Sequence, residues 1–441
     1  MLKLFNRYRL VVVFSLIMAF LIPFSLGQPA ETEKTAIVTS VGMDKVEGGV
    51  ELSVNVIVPN SAQSGSGGSD GAVKTVTAVG NNVSSAFANI TLVLGKMPGL
   101  AHCDSIILNK NLFEINVLDY LDFFIRTNNL TSNATLIVAE NTAKEIVETS
   151  ASQKGLRAVA LSDILLLNNE YALTKKANID AFYVEHFSPN ACSTLPLLTV
   201  GKSNEETSEV GVNQKTTSNT QTSHSADSSG ADASQINTSK NSASEGDNGS
   251  EQGKNDSPEK IIKNEGKGVI VKNGKIVKVV SGKEMAGINL MSKNTKRGHI
   301  QVKGITDKDF NNADLTFKIF NKKTRVNGCF VDGKPVFNYN MDLVLKLEEV
   351  GMNSFGLEAL KTTKNYVEGV VKEKLNQTVQ QNLASVINTA KQTQCDILGV
   401  YDYFHKMHNT KWLNFINSLP QKEDFLNYVT FTCNIKTQGK I

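Results

Sequence analysis

The sequence contains no GxSxG, SxxK, HExxH or Walker pattern, and it has only six histidines and five cysteines in 441 residues. Each of those patterns fixes a nucleophile, a base, a metal or a phosphate at a set spacing, so the usual signals of hydrolases, metalloproteases and nucleotide-dependent enzymes are missing. Cys103, Cys192, Cys329, Cys395 and Cys433 show neither CxxC nor zinc-finger spacing, and their odd number does not suit a disulfide framework. They are expected to serve as small buried apolar residues, with one optional disulfide permitted in an exported chain. Charge of one sign is also scarce. With 46 basic against 43 acidic residues, a net charge of +3 and no long basic run after Arg9, nothing points to nucleic acid.

Long apolar runs are scarce too, and the exception is at the start. Leu10 to Leu26 (LVVVFSLIMAFLIPFSL) follows Lys3, Arg7 and Arg9, the pattern of an export leader with a positive n-region. The run falls a little short of the roughly 20 residues of a spanning helix, and Pro23 interrupts its end. Ser25 and Gly27 put small residues three before and one before a cut ahead of Gln28. Residues 1–27 therefore read as a signal peptide or an uncleaved signal anchor, and the rest of the chain is expected to face outward. No cysteine stands at position 28, so no lipidation site is expected there.

After the leader, periodicity divides the chain. Ala36 to Asp44 and Val50 to Val58 alternate as a β-hairpin, Val73 to Val79 continues the strands, and residues 82–95 take helical spacing. Cys103 to Asn109 is read as a strand. Phe113, Val117, Leu121, Phe124 and Ile125 are read as one apolar helix face, followed by a strand at 134–139 and a helix at 142–149. Residues 36–202 are thus expected to form an N-terminal α/β domain of one or two subdomains. Residues 203–262 are dominated by Ser, Asn, Thr, Gly and charge and read as a disordered polar linker. Asn273-Gly274 marks a hairpin that opens a C-terminal α+β domain over 266–441. There, strands at 315–330 and 336–347 lead into an amphipathic helix from Leu357 to Ala390, about 35 residues long and bent near Gly369. A short helix through Tyr403, His405 and Trp412 and a strand at 428–436 close the chain. The fold class is α+β or mixed α/β: two or three small mixed domains, the last with antiparallel strands around one long amphipathic helix.

Four groups were weighed as sites. The loop Ser61 to Gly71 is Gly-rich but lacks GxGxxG and precedes a strand, which does not suit phosphate binding. Asp119 and Asp122 share a helix face, yet Arg126 four residues after Asp122 makes a solvated ion pair the simpler reading. Asp402, His405 and His408 are the best metal candidates, but steps of three drift around a helix and converge poorly on one ion. His102, Cys103 and Asp104 on a strand would alternate sides, which blocks a Cys/His pair. No catalytic, metal or cofactor residue is expected; a binding or structural protein is the favoured class.

Taken in order, the export leader, Ala36-Ile-Val-Thr-Ser-Val-Gly-Met-Asp44-Lys45, the segment Leu118 to Arg126 (LDYLDFFIR), the Asn273-Gly274-Lys275 hairpin, the long C-terminal helix, Asp396-Ile-Leu-Gly399 and Lys411-Trp412 resemble the Ger(x)C family. These are the C subunits of bacterial spore germinant receptors. The resemblance implies a non-enzymatic subunit at the outer face of the spore inner membrane, beside membrane-embedded A-type and B-type subunits, and no cofactor. The chain departs from the family in three places. Gln28-Pro29-Ala30-Glu31 replaces the lipobox cysteine and its Trp-Asp type motif, Ile276-Val277-Lys278 replaces a Leu-Val-Gly pattern, and the linker is long. The alternative is an exported solute- or cell-wall-binding protein; a secreted hydrolase would need a polar site that the sequence does not display.

Overall fold

A computed structural model describes residues 35–58, 72–126, 130–152, 161, 177–188, 192–202, 260–293, 295–306, 310–351 and 367–439, with Tyr8 and Phe14. The leader apart from those two residues, Gly27 and Gln28, the Ser61–Gly71 loop, the linker core and Leu357 and Leu360 lie outside the described residues.

The first sheet starts from β1 (Thr35–Val46) and β2 (Gly49–Val58), the expected hairpin, and β3 (Ala72–Gly80) continues it antiparallel. On the other side of β1 lie β4 (Met97–Gly99) and β5 (Ser105–Asn109), then β6 (Thr135–Ala139) and β7 (Cys192–Lys202), all parallel. Parallel neighbours need crossovers, and helices supply them. These are α1 (Val83–Leu94), α2 (Leu118–Arg126), α3 (Ala143–Ser152) and α4 (Ile179–His186). Central strands covered on both faces must be apolar throughout, and β5 and β6 are buried at every position. Their alternation sorts the helices. Ile106, Leu108, Leu136 and Val138 face one core with Ile90, Leu121 and Phe182, whereas Ile107, Ile137 and Ala139 face a second with Ile146 and Val147 of α3.

The sheet then crosses the boundary drawn at the linker. β8 (Lys260–Lys263) pairs with the end of β7, and β9 (Gly268–Lys272) pairs antiparallel with its start. With β10 (Lys275–Val280) the strand order is β10-β9-β7-β6-β5-β1-β2-β3. The Asn-Gly hairpin forms as expected, with φ of 50° at Asn273 and 75° at Gly274, but it extends the first sheet. Its open edge has pairing groups that β7 satisfies, a preference no local pattern encodes.

The second sheet has the order β11-β12-β13-β14, from β11 (His299–Ile305), β12 (Ala313–Val331), β13 (Lys334–Val350) and β14 (Thr430–Gly439). The first three are antiparallel, but β14 runs parallel to β13, unlike the expected all-antiparallel arrangement. The crossover holds three helices: α6 (Gly369–Thr393), α7 (Val400–Met407) and α8 (Asn409–Ser418). Val371, Leu375, Val379 and Leu383 of α6 bury against Phe317, Phe337 and Leu343. Gly369 does not bend this helix; with φ of 52° it begins it, and the described helix has 25 residues. Helix α5 (Gly282–Met291) follows the hairpin and packs on α6, where a Cβ on Gly287 would stand 3.0 Å from Val386. Among the described residues no helix is long and apolar enough to cross a membrane.

Candidate functional site

The resemblance motifs turn out to hold helices in place. In Val41-Gly-Met-Asp-Lys45, Gly42 lies under α3, where a Cβ would come 2.7 Å from Val147 Cγ2 and 3.1 Å from the Ala143 carbonyl. Two residues on, buried Asp44 accepts the N–H groups of Ala143 and Lys144 and the Asn109 side-chain amide, each at 2.8 Å. A carboxylate there satisfies first-turn donors that the helix itself leaves unpaired and meets the positive end of its dipole. Lys45 pairs with Glu114 at the surface, at 2.9 Å.

Asp396-Ile-Leu-Gly399 repeats the device. Buried Asp396 accepts the N–H groups of Val400 (3.0 Å) and Tyr401 (2.7 Å), and Gly399 adopts φ of 70° to turn the chain into α7. Burial raises the Asp396 carboxyl to about 6, against the pull of those two amides. Trp412 of the Lys-Trp pair is fully buried, stacked on Phe404 at 5.2 Å between ring centres and flanked by Phe415 and Phe425. In Leu118 to Arg126, Leu121 and Phe124 are buried while Asp122 and Arg126 form an exposed ion pair at 2.7 Å. Phe113 belongs to a preceding 3-10 turn and Ile125 faces solvent, so the expected single helix face is split. The Asn-Gly turn docks just ahead of this helix: the Val117 N–H donates to the Gly274 carbonyl at 3.1 Å.

The other weighed residues stay apart. α7 ends at Met407 and α8 begins at Asn409, so His408 sits at a break and the three-residue row is not one helix. His405 stacks on Tyr401, His408 Nε2 lies 3.0 Å from the Gly328 carbonyl, and Asp402 faces a cleft. Among the described residues no group of three His, Cys, Asp or Glu is placed to hold a metal. His102, Cys103 and Asp104 occupy a turn before β5, not a strand as expected. Cys103 is buried, which with the Asp104 charge pushes its thiol up to about 12, so it is an unreactive core residue. Not every cysteine is buried, as was expected: Cys329 is exposed and Cys433 half-buried.

Between the two sheets opens a cleft of about 600 Å³, walled by the start of β7, the end of α5, Tyr339 of β13 and the segment Asp396 to Met407. Its walls are tied by polar contacts that no sequence spacing announced. Buried Lys322 of β12 reaches the C-terminal end of α5 and donates to the carbonyls of Asn289 (3.3 Å), Leu290 (2.8 Å) and Ser292 (2.7 Å). Burial lowers its ammonium to about 8. Lys278 of β10 meets Glu284 of α5 at 2.8 Å and Thr389 of α6 at 3.1 Å. Burial works against the Glu284 charge, but Lys278 and Ser281 outweigh it and hold the carboxyl at about 2.

The comparisons with known proteins agree with the motif order. Residues 28–200 match the family model described as "Spore germination protein N-terminal domain", and residues 265–441 match "Spore germination B3/ GerAC like, C-terminal". The chain belongs to the Ger(x)C family of spore germination proteins. This is not a known enzyme family. A solved structure described as that of the GerBC protein is similar at 15% identity and a TM-score of 0.48, covering 91% of this chain and 97% of that one. No curated protein matches the chain by sequence.

Proposed function

We propose that this protein is the C-type subunit of a nutrient germinant receptor, working without catalysis at the outer face of the spore inner membrane. The observation that carries the reading is the match of both halves of the chain, on either side of the linker, to spore germination families. The use of Asp44 and Asp396 as buried helix caps supports it, because it assigns the motif carboxylates to architecture instead of to chemistry. In this reading the folded body docks on membrane-embedded A-type and B-type subunits and biases the receptor toward its committed state. Residues 36 to 441 face outward. With Gln28 in the lipobox position, retention depends on the leader or on those partners. N-terminal sequencing distinguishes the two: a chain beginning at Gln28 assigns retention to the partners.

Deleting the gene in a strain with no other receptor for the same nutrient should leave spore yield unchanged and slow nutrient-triggered germination. Unchanged germination would overturn the reading. The cleft favours one second reading, an exported solute- or cell-wall-binding protein. Co-purification separates them, since recovery with multi-span membrane subunits supports the receptor and retention on wall material supports the alternative.

A further inference from the structure

Cys192 opens β7 in the first sheet, and Cys395 follows the last turn of α6, 203 residues later. Their sulfur atoms lie 2.7 Å apart. Both sites are anchored by backbone. Cys192 pairs in register with Lys272 of β9, and the Cys395 N–H donates to the Ala390 carbonyl at 3.0 Å. Around them Ile270, Met285, Ile288 and Val386 form a small apolar cluster that joins the first sheet to α5 and α6. Cys395 is fully buried, but Cys192 lines the cleft, so a small reagent reaches the pair from that side.

We propose that Cys192 and Cys395 are a redox pair that closes to a disulfide, locking the first sheet to the segment that carries Asp396 and walls the cleft. Cys192, the thiol that lines the cleft, is the one an entering reagent meets. It gives up its proton and attacks one sulfur of a small-molecule disulfide, and one donor sulfur leaves as a thiol. Cys395, held 2.7 Å away, then gives up its proton, its sulfur attacks Cys192 Sγ, and the second donor sulfur leaves as a thiol. Two protein thiols are oxidised to one disulfide while one donor disulfide is reduced to two thiols. The chemistry stands apart from the receptor reading, because it depends only on two side chains and an oxidant.

The test uses the full-length protein in detergent, equilibrated with excess glutathione disulfide, quenched with acid, alkylated under denaturing conditions and mapped by mass spectrometry. The expected result is a linked peptide pair containing Cys192 and Cys395, with Cys103, Cys329 and Cys433 alkylated, so that titratable thiols fall from five to three. The oxidised protein should also melt several degrees above the reduced one, a shift absent from Cys192→Ala. If both cysteines carry the alkyl group, if either stops as a glutathione adduct, or if the link involves one of the other three, the proposal is overturned. The peptide map of the wild-type protein decides this even if the variant fails to fold.

Discussion

Replacing Asp44 by alanine should release α3 from the sheet. The carboxylate accepts three N–H groups at 2.8 Å, and only one of those donors, the Asn109 amide, keeps another partner, the Asn141 carbonyl at 2.7 Å. A lost N-terminal cap costs about 1–2 kcal/mol. The Ala143 amide, on a residue with no exposure, is left unsatisfied at an overlapping cost of about 1–3 kcal/mol. Together these suggest about 2–4 kcal/mol, or roughly a 30- to 1,000-fold rise in local opening. Hydrogen exchange of the peptide spanning 143–152 reads this directly, with β13 as an internal reference. Asp44→Asn keeps one acceptor oxygen and should lose about half as much. Gly42→Ala attacks the same contact sterically, since its Cβ would stand 2.7 Å from Val147 Cγ2, and should cost about 1–3 kcal/mol. Because both changes undock one helix, the double variant should lose less than the sum. Protection of 143–152 within threefold of wild type in Asp44→Ala would refute the capping role.

Two other substitutions test contacts made across the chain. Gly274→Ala meets both a φ of 75° and the Asn116 side chain, which the added Cβ would overlap, so it should lower the stability to urea by about 1–3 kcal/mol; an unchanged midpoint would argue against the hairpin docking at the start of α2. Lys322→Met takes a charged donor away from three carbonyls at the end of α5, of which that of Asn289 keeps the Ser292 N–H at 3.2 Å, and should cost about 1–3 kcal/mol at pH 7. The wild-type ammonium is lowered from 10.5 to about 8 by burial, so between those values the unfolded chain holds the extra proton and the group adds stability as pH rises. The methionine variant lacks that gain, and its deficit should widen from pH 8 to pH 10; a constant deficit would assign the loss to packing alone.

Much of the fold is local and could be read from the sequence. Period-two runs mark β1, β2, β12 and β13, period-3.6 runs mark α1 and α6, and Asn273-Gly274 sets a turn because only residues tolerant of positive φ fit it. Boundaries were less legible where local signals compete. His408 breaks what reads as one helix into α7 and α8, and Gly369, read as a bend, is a start. The motif order was enough to give the family, since order and spacing survive in the chain whatever each residue does.

The use of those residues, by contrast, was decided by tertiary structure. Asp44 meets its helix about 100 residues away, Gly274 meets Val117, and Cys192 meets Cys395, and no spacing rule links such pairs. The linker made two domains the natural reading, yet β9 and β10 complete the first sheet, because an open strand edge is satisfied by whichever strand reaches it with the right register. The sequence by itself determined most of the elements and the family. Which carboxylates cap helices, which thiols touch and where the cleft opens depended on long-range packing, whose partners are chosen by shape and unsatisfied hydrogen bonds instead of by neighbours in the chain.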